Sequence, residues 1–296
     1  MAGFTIDLAG RVKNFDLPKT QPLIPLFEAV VNSIYAIEER MEHEDFKGKI
    51  DIRIIREPQE IAPVEGINSS INEIIGFSIS DNGIGLDDNN MKSFLQSDST
   101  YRAEKGGKGV GRFSWLKAFD NTKITSIYKD DDTWVKREFE FSIDKLDIDD
   151  SLKEVEERDY CTTVELIDYK PVYRKHVGKS PEVIATKIMQ HCMIYLMSPN
   201  CPIISVIDDE RYCINDMFEK RIKREDNPID FVVGTEKFSL VNAKIQDASV
   251  AGSKIYLYAN DRMVKPVNLD KTLVDLDKNI YDDKGFYYVG ILTGKY

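Results

Sequence analysis

Apolar positions recur every three to four residues through PLIPLFEAVVNSIYAIEER, where Phe27, Val30, Val31, Ile34 and Ile37 share one side of a helical wheel. That spacing predicts a helix over about 23–42. Alternation with a period of two takes over at 49–56 (KIDIRIIR) and 74–80 (IIGFSIS), predicting two strands separated by a polar loop through 57–73. Further strands are expected at 122–128, 134–142 and 162–168, the first two joined across Asp130, Asp131 and Asp132. Phe113-Ser-Trp-Leu-Lys-Ala-Phe119 reads as the start of an apolar helix. SPEVIATKIMQHCMIYLM has Ser180 at the N-cap, Pro181 at the first helical position and apolar residues at helical spacing, so one helix is expected over 180–197. A strand follows at 202–208. FYYVGILTGKY at 286–296 has the character of a core strand, preceded by a turn at Asp282-Asp283-Lys284-Gly285.

Composition narrows this picture without naming a task. A chain of 296 residues with 42% hydrophobic content can build one large domain or two modest ones with real cores. No run approaches the roughly 18 apolar residues of a membrane helix, and MAGFTIDLAGRVKNFD lacks the apolar stretch of a signal peptide. A cytoplasmic protein with no membrane partner is the expectation. Cys161, Cys192, Cys201 and Cys213 show no CxxC pairing, which favours buried thiols over disulfides or a zinc site at His191, Cys192, Cys201 and Cys213. The net charge of −11 argues against a surface given over to nucleic acid, although basic clusters stand at 173–176 and 220–224.

Three segments carry candidate chemistry. FSISDNGIGL (77–86) ends a buried strand in Asp81-Asn82-Gly83-Ile84-Gly85, which taken alone is a tight turn. In the first helix Glu28 and Asn32 are four residues apart, placing a carboxyl and a carboxamide on one face; in isolation that is an ordinary solvent face. Gly106-Gly-Lys-Gly-Val-Gly-Arg112 runs into the Phe113 helix. Glycines allow close approach of a ligand, and N–H groups at a helix start favour phosphate oxygens, with Lys108 adding charge. GxxxxGK[ST] is missing, so this is not a Walker A loop, and no βαβ pattern precedes it to support a dinucleotide fingerprint.

Taken in order, these segments resemble the GHKL superfamily of ATPases, which comprises DNA gyrase, the large heat-shock chaperone, histidine kinases and MutL. The N box is FEAVVNS, the first glycine box DNGIGL, the second GGKGVGR, and Cys161-Thr-Thr-Val164 takes the place of Gly-Thr-x-Val. The resemblance implies a Bergerat-type α/β sandwich, a mixed sheet with helices on one face, that binds ATP with Mg²⁺. It implies that Glu28 is the general base for the attacking water and that Asn32 holds Mg²⁺. Asp81 would accept the adenine amino proton, with Thr162 beside it and Gly83, Gly85 and Leu86 letting the backbone pass the base. Gly106, Gly107, Lys108, Gly109, Val110 and Gly111 would wrap the phosphates, under a lid spanning about 87–111. Two departures stand out: Tyr35 where the family has Asp, and Cys161 where it has Gly.

His43, His176 and His191 all follow the N box, so a histidine-kinase phosphoacceptor helix ahead of it is not expected. The later order, with IYLYANDRMVK at 255–265 where MutL carries a strand and Asn-Gly-Arg, resembles a MutL-type ATPase domain (1–223) followed by the start of a smaller α+β transducer (224–296). A chain ending inside its own sheet is expected to be an amino-terminal fragment, lacking the transducer lysine and turning over slowly, unless Lys254, Lys265 or Lys271 serves. The function expected is an ATP-hydrolysing module that couples nucleotide state to lid closure and homodimerisation, acting on DNA in repair or bacterial defence. The alternative is a chaperone-like or scaffold ATPase with protein clients.

Overall fold

The strands between Lys49 and Cys213 meet in one mixed sheet of eight. The computed structural model describes residues 8–58, 72–96, 111–143, 150–156, 158–198, 200–224, 228–245, 253–259, 262–269 and 287–294. In chain order the elements begin with α1 (Leu8–Asn14), α2 (Ile24–Met41), β1 (Lys49–Arg56), β2 (Ile74–Asp81), α3 (Asp88–Leu95) and α4 (Phe113–Ala118). There follow β3 (Phe119–Asp130), β4 (Thr133–Glu140), β5 (Ser151–Glu154), β6 (Cys161–Tyr169), α5 (Pro171–Arg174), α6 (Pro181–His191) and α7 (Met193–Leu196). The remainder is β7 (Ile203–Ile207), β8 (Arg211–Cys213), α8 (Ile214–Arg221), β9 (Ile222–Arg224), β10 (Ile229–Val233), β11 (Glu236–Ile245), β12 (Lys254–Ala259), β13 (Arg262–Asn268) and β14 (Tyr287–Gly294).

The chain divides into two compact units. The first carries most of the chain up to Ile188 together with Asn200–Ile214; the second carries Met189–Pro199 and Asn215–Tyr296. In the first, the strand order is β5-β4-β3-β6-β2-β1-β7-β8, antiparallel except where β1 and β7 run parallel. Register sorts the side chains by parity. Ile52, Ile79, Val164, Ile124 and Phe139 lie in one cross-strand row, and all five are buried. The α2 and α4 helices cover that side: Ser33 of α2 reaches Asp81, and Trp115 of α4 donates from Nε1 to the Pro25 carbonyl at 3.0 Å. The opposite parity places Asp51, Ser80, Thr163, Thr125 and Glu138 in the neighbouring row, polar as befits a sheet with one solvated face.

The second unit holds a six-stranded sheet in the order β10-β11-β14-β12-β13, with β9 also paired to β11. The run expected to be a core strand is central here: β14 is antiparallel to β11 and parallel to β12, and Val289 and Ile291 are buried.

Two expectations change. The helix expected over 180–197 is two helices, because the backbone at Cys192 leaves helical geometry (φ −91°, ψ 13°) between α6 and α7. Apolar spacing alone cannot register one such residue. All four cysteines are thiols, but only Cys192 is buried; Cys161, Cys201 and Cys213 keep part of their surface. No described helix is long and apolar enough to cross a membrane.

On the open face, Asp51 of β1 pairs with Lys49 of the same strand at 2.7 Å and, across β7, with Arg211 of the edge strand β8 at 2.8 Å. Burial pushes its carboxyl pKa up, but hydrogen bonds from Arg211 and Lys49 outweigh this and hold it below the ordinary 3.8. A depressed carboxyl adds stability that is present above the unfolded pKa and lost as pH falls through the folded one. Asp51→Asn is therefore expected to lower the unfolding temperature at neutral pH. The difference from the native chain should shrink as pH drops below 3.8, in thermal scans followed by circular dichroism; a gap that does not narrow refutes the linkage.

Candidate functional site

Helix α2 organises the site because it meets both glycine boxes. Its inward residues Leu26, Val30, Ile34 and Ile37 are buried, while Glu28, Asn32, Ala36 and Glu39 form a partly exposed stripe. Glu28 meets the end of the second glycine box: a Cβ built on Gly111 would run into the Glu28 carboxyl. Two turns further, Ala36 meets the first glycine box. A Cβ on Gly83 would lie 2.6 Å from the Ala36 carbonyl carbon and 2.8 Å from the Ile37 nitrogen, and Ile84 donates its N–H to the Ala36 carbonyl at 2.9 Å. Eight residues of helix separate these two contacts by about 12 Å. Asn32 lies midway between them.

Asp81 ends β2 on the buried parity and is 6% exposed. A buried polar group costs stability unless it is hydrogen-bonded, and donors reach this one from a helix and from a turn. Ser33 Oγ donates to Oδ2 at 2.7 Å, and the Gly83 N–H donates to Oδ1 at 2.9 Å. Thr162 of β6 is directly across the ladder from Asp81. Its hydroxyl pairs with that of Ser126 at 2.8 Å, and Ser126 Oγ also accepts the Leu86 N–H at 2.9 Å. A carboxyl, two hydroxyls and a turn backbone thus share one end of the buried sheet face.

The turn itself is held from three sides. Asn82 accepts the Lys49 N–H at 2.7 Å and donates to the Lys47 carbonyl at 3.0 Å, stitching the end of β2 to the start of β1. Arg40 donates to the Asn82 carbonyl at 2.7 Å. Its guanidinium is held 3.9 Å from the ring centroids of both Phe46 and Tyr160, a cation–π sandwich. Gly85 has φ +90°, a region that side chains rarely adopt, and packs on Tyr128. Burial pushes the Tyr128 phenol up to about 12, so it stays neutral beneath the turn. Arg137, buried on β4, donates to the Leu86 carbonyl and to Asp88, both at 2.7 Å, and lies 3.1 Å from Asp150.

The segment expected as a lid begins as a regular helix, α3, whose N-cap Asp87 accepts the Asn90 N–H at 2.7 Å. Arg112 then ties its end to the start of α4, donating to the carbonyls of Ser93 at 3.3 Å and Gln96 at 2.6 Å. Gly106, Gly107, Lys108, Gly109 and Val110 lie outside the described residues, as do Asn260, Asp261 and Lys271.

The structure therefore brings Glu28, Asn32, Gly83 and Gly111 onto one helix face, and Asp81, Leu86 and Thr162 onto the adjoining sheet end. Tyr35, the departure from the N box, is buried in the core. Sequence reading did not single out Ser33, Ser126, Arg137, Arg112 or Arg40. Ser126 and Arg137 had a visible signal, since each is a polar residue at an apolar parity, in Ile124-Thr-Ser-Ile-Tyr128 and Val135-Lys-Arg-Glu-Phe139. A cleft of about 740 Å³ lined by Lys129, Trp134, Glu154 and Arg158 opens elsewhere. It contains none of the motif residues, so the site is placed by converging chemistry rather than by the volume of a cleft.

No known protein family and no curated protein matches this chain.

Ser33→Ala is expected to lower the unfolding free energy by about 1–3 kcal/mol, because it strips a donor from a buried carboxyl. Gly83→Ala should cost about 1–3 kcal/mol by overpacking against α2. Urea denaturation measures both. An unchanged midpoint for either would mean that α2 does not bear on the turn.

Proposed function

We propose that the first unit is an ATP-binding and ATP-hydrolysing module of the GHKL type, its sheet and helices a Bergerat-type sandwich, with the second unit as the start of a transducer. The observation that most supports this is the buried carboxyl of Asp81, oriented by Ser33 and Gly83 at the sheet end that also carries Thr162. A hairpin turn on its own does not need a buried carboxyl placed across from a buried threonine. A carboxylate accepts hydrogen bonds at both oxygens, which is the chemistry an exocyclic amino group such as that of adenine would need. Thr162, 8% exposed and tied to Ser126, would fix the base edge.

Glu28 and Asn32 then fall where the phosphates would extend, along α2 toward Gly111. A half-exposed carboxyl can reach water, and Glu28 would orient the attacking water and take its proton. The donor set suits a hard cation: Asn32 offers a carboxamide oxygen, and a magnesium site takes few protein ligands, the rest being waters and phosphate oxygens. Mg²⁺, when bound, would neutralise charge on the phosphates. By the same resemblance Gly107, Lys108, Gly109, Val110 and Gly111 would surround them, and nucleotide state would govern closure and dimerisation.

Calorimetric titration should show ATP binding in the presence of Mg²⁺ and weaker binding of GTP, which lacks the matching amino group. Asp81→Asn should weaken ATP binding by about 1–3 kcal/mol, because an amide donor meets the adenine donor. Unchanged affinity in a folded variant would remove Asp81 from the site.

Glu28→Ala is expected to keep ATP affinity and to lower phosphate release by roughly 10²–10⁴-fold. Hydrolysis at the native rate would make Glu28 a surface residue of α2 and nothing more.

A further inference from the structure

Strand β10, with the sequence Ile229-Asp-Phe-Val-Val233, exposes four large apolar side chains: Ile229 at 52%, Phe231 at 37%, and Val232 and Val233 at 60% each. It is also the end strand of the second sheet, so among the described residues only β11 pairs with it, on one side. Edge strands of lone proteins are ordinarily blunted by charge, proline or a bulge. β10 carries one charge, Asp230, and neither of the other devices.

We propose that β10 is the contact through which two copies of this chain associate, antiparallel about a two-fold axis at Phe231, so that the second sheet continues from one protomer into its partner. The register carries this. Ile229, Phe231 and Val233 share one face of the strand. With the axis at Phe231, Ile229 lies opposite the partner's Val233, and Phe231 opposite the partner's Phe231, giving an unbroken apolar face. Within each protomer that face continues onto β11, where Leu240 is opposite Ile229 and Phe238 opposite Phe231, the two rings stacked at 5.7 Å.

Charge selects the same register. On the other face Asp230 is set against the partner's Val232, and Val232 in turn neighbours Lys237 of its own β11. The carboxyl of one copy thus enters the row that holds the lysine of the other. Moving the axis by one residue to Asp230 would place two carboxyls face to face, which is destabilising. The axis at Phe231 also pairs all five residues of the strand. This contact is separate from the nucleotide-governed association proposed above: it needs no nucleotide and does not depend on the function proposed for the first unit.

Sedimentation equilibrium of the full chain without nucleotide is the test, and a concentration-dependent monomer–dimer equilibrium is expected. Ile229→Lys combined with Val233→Lys sets lysine opposite lysine at both ends of the contact and should raise the dissociation constant about tenfold or more. Ile229→Lys combined with Val233→Glu sets lysine opposite glutamate in this register alone and should recover dimerisation. The single change Val232→Asp, at a 60% exposed position, brings Asp against the partner's Asp230 and should weaken the dimer about tenfold. Far-UV circular dichroism checks that each variant is folded. The proposal is overturned by a monomer at every concentration, which would leave β10 for a different protein's strand. It is equally overturned by equal effects of the two double variants, or by native dimerisation of Val232→Asp.

Discussion

The carboxyl group of Asp81 ties a helix, a strand end and a turn of the first unit together. It ends a strand on the parity otherwise filled by Phe77 and Ile79, where a polar group without partners would cost more stability than a typical core contact contributes. Ser33 and the Gly83 N–H reach it from different directions. Ser33 must be presented by α2, which sets the rotation of that helix, and the Gly83 N–H must fold back, which sets the turn. Gly83 then has to be glycine, because the Ala36 backbone occupies the space a side chain would need. One buried group thus fixes helix rotation, strand end and turn path together.

Around it the buried face is less apolar than a sheet core requires. Ser126, Thr162 and Arg137 form a row of their own, each two residues along its strand from Ile124, Val164 and Val135; Ser126 and Arg137 hold the Leu86 backbone, and Thr162 holds Ser126. Such a network rigidifies as far as its members are satisfied; Arg137 bonds Leu86 and Asp88, and its Nε has an ion-pair contact to Asp150 rather than a hydrogen bond. Its geometric effect is to preorganise the loop from Asn82 to Asp88, with Arg40 gripping from one side and Arg137 from the other. For the proposed nucleotide site this matters because the hydrogen-bonding groups are already oriented before a ligand arrives, so less conformational freedom is lost on binding.

The second unit follows a different logic. Its sheet buries Ala243, Tyr256, Val289 and Ile291 but leaves β10 exposed at one end. A sheet that joined two protomers through that edge would couple them by backbone hydrogen bonds, whose spacing every strand shares. The specificity would then lie in side-chain register, where one carboxyl in five residues suffices to disfavour the neighbouring alignment.

Much of this was legible along the chain. Period two located β1, β2, β3, β4 and β6 within a few residues, and helical spacing located α2, because burial on one side imposes a local repeat that the sequence must carry. The grouping of Glu28 with Asn32 followed from helix geometry alone. The break at Cys192 was not legible, since apolar spacing persists through a single residue that leaves the helix. Nor were the partners of the motif residues. That Ser33 serves Asp81, that Gly111 abuts Glu28 and that Ala36 excludes a side chain at Gly83 are contacts between segments 48, 83 and 47 residues apart in the chain. Local pattern records which side of an element is buried; only packing decides which distant residue it is buried against.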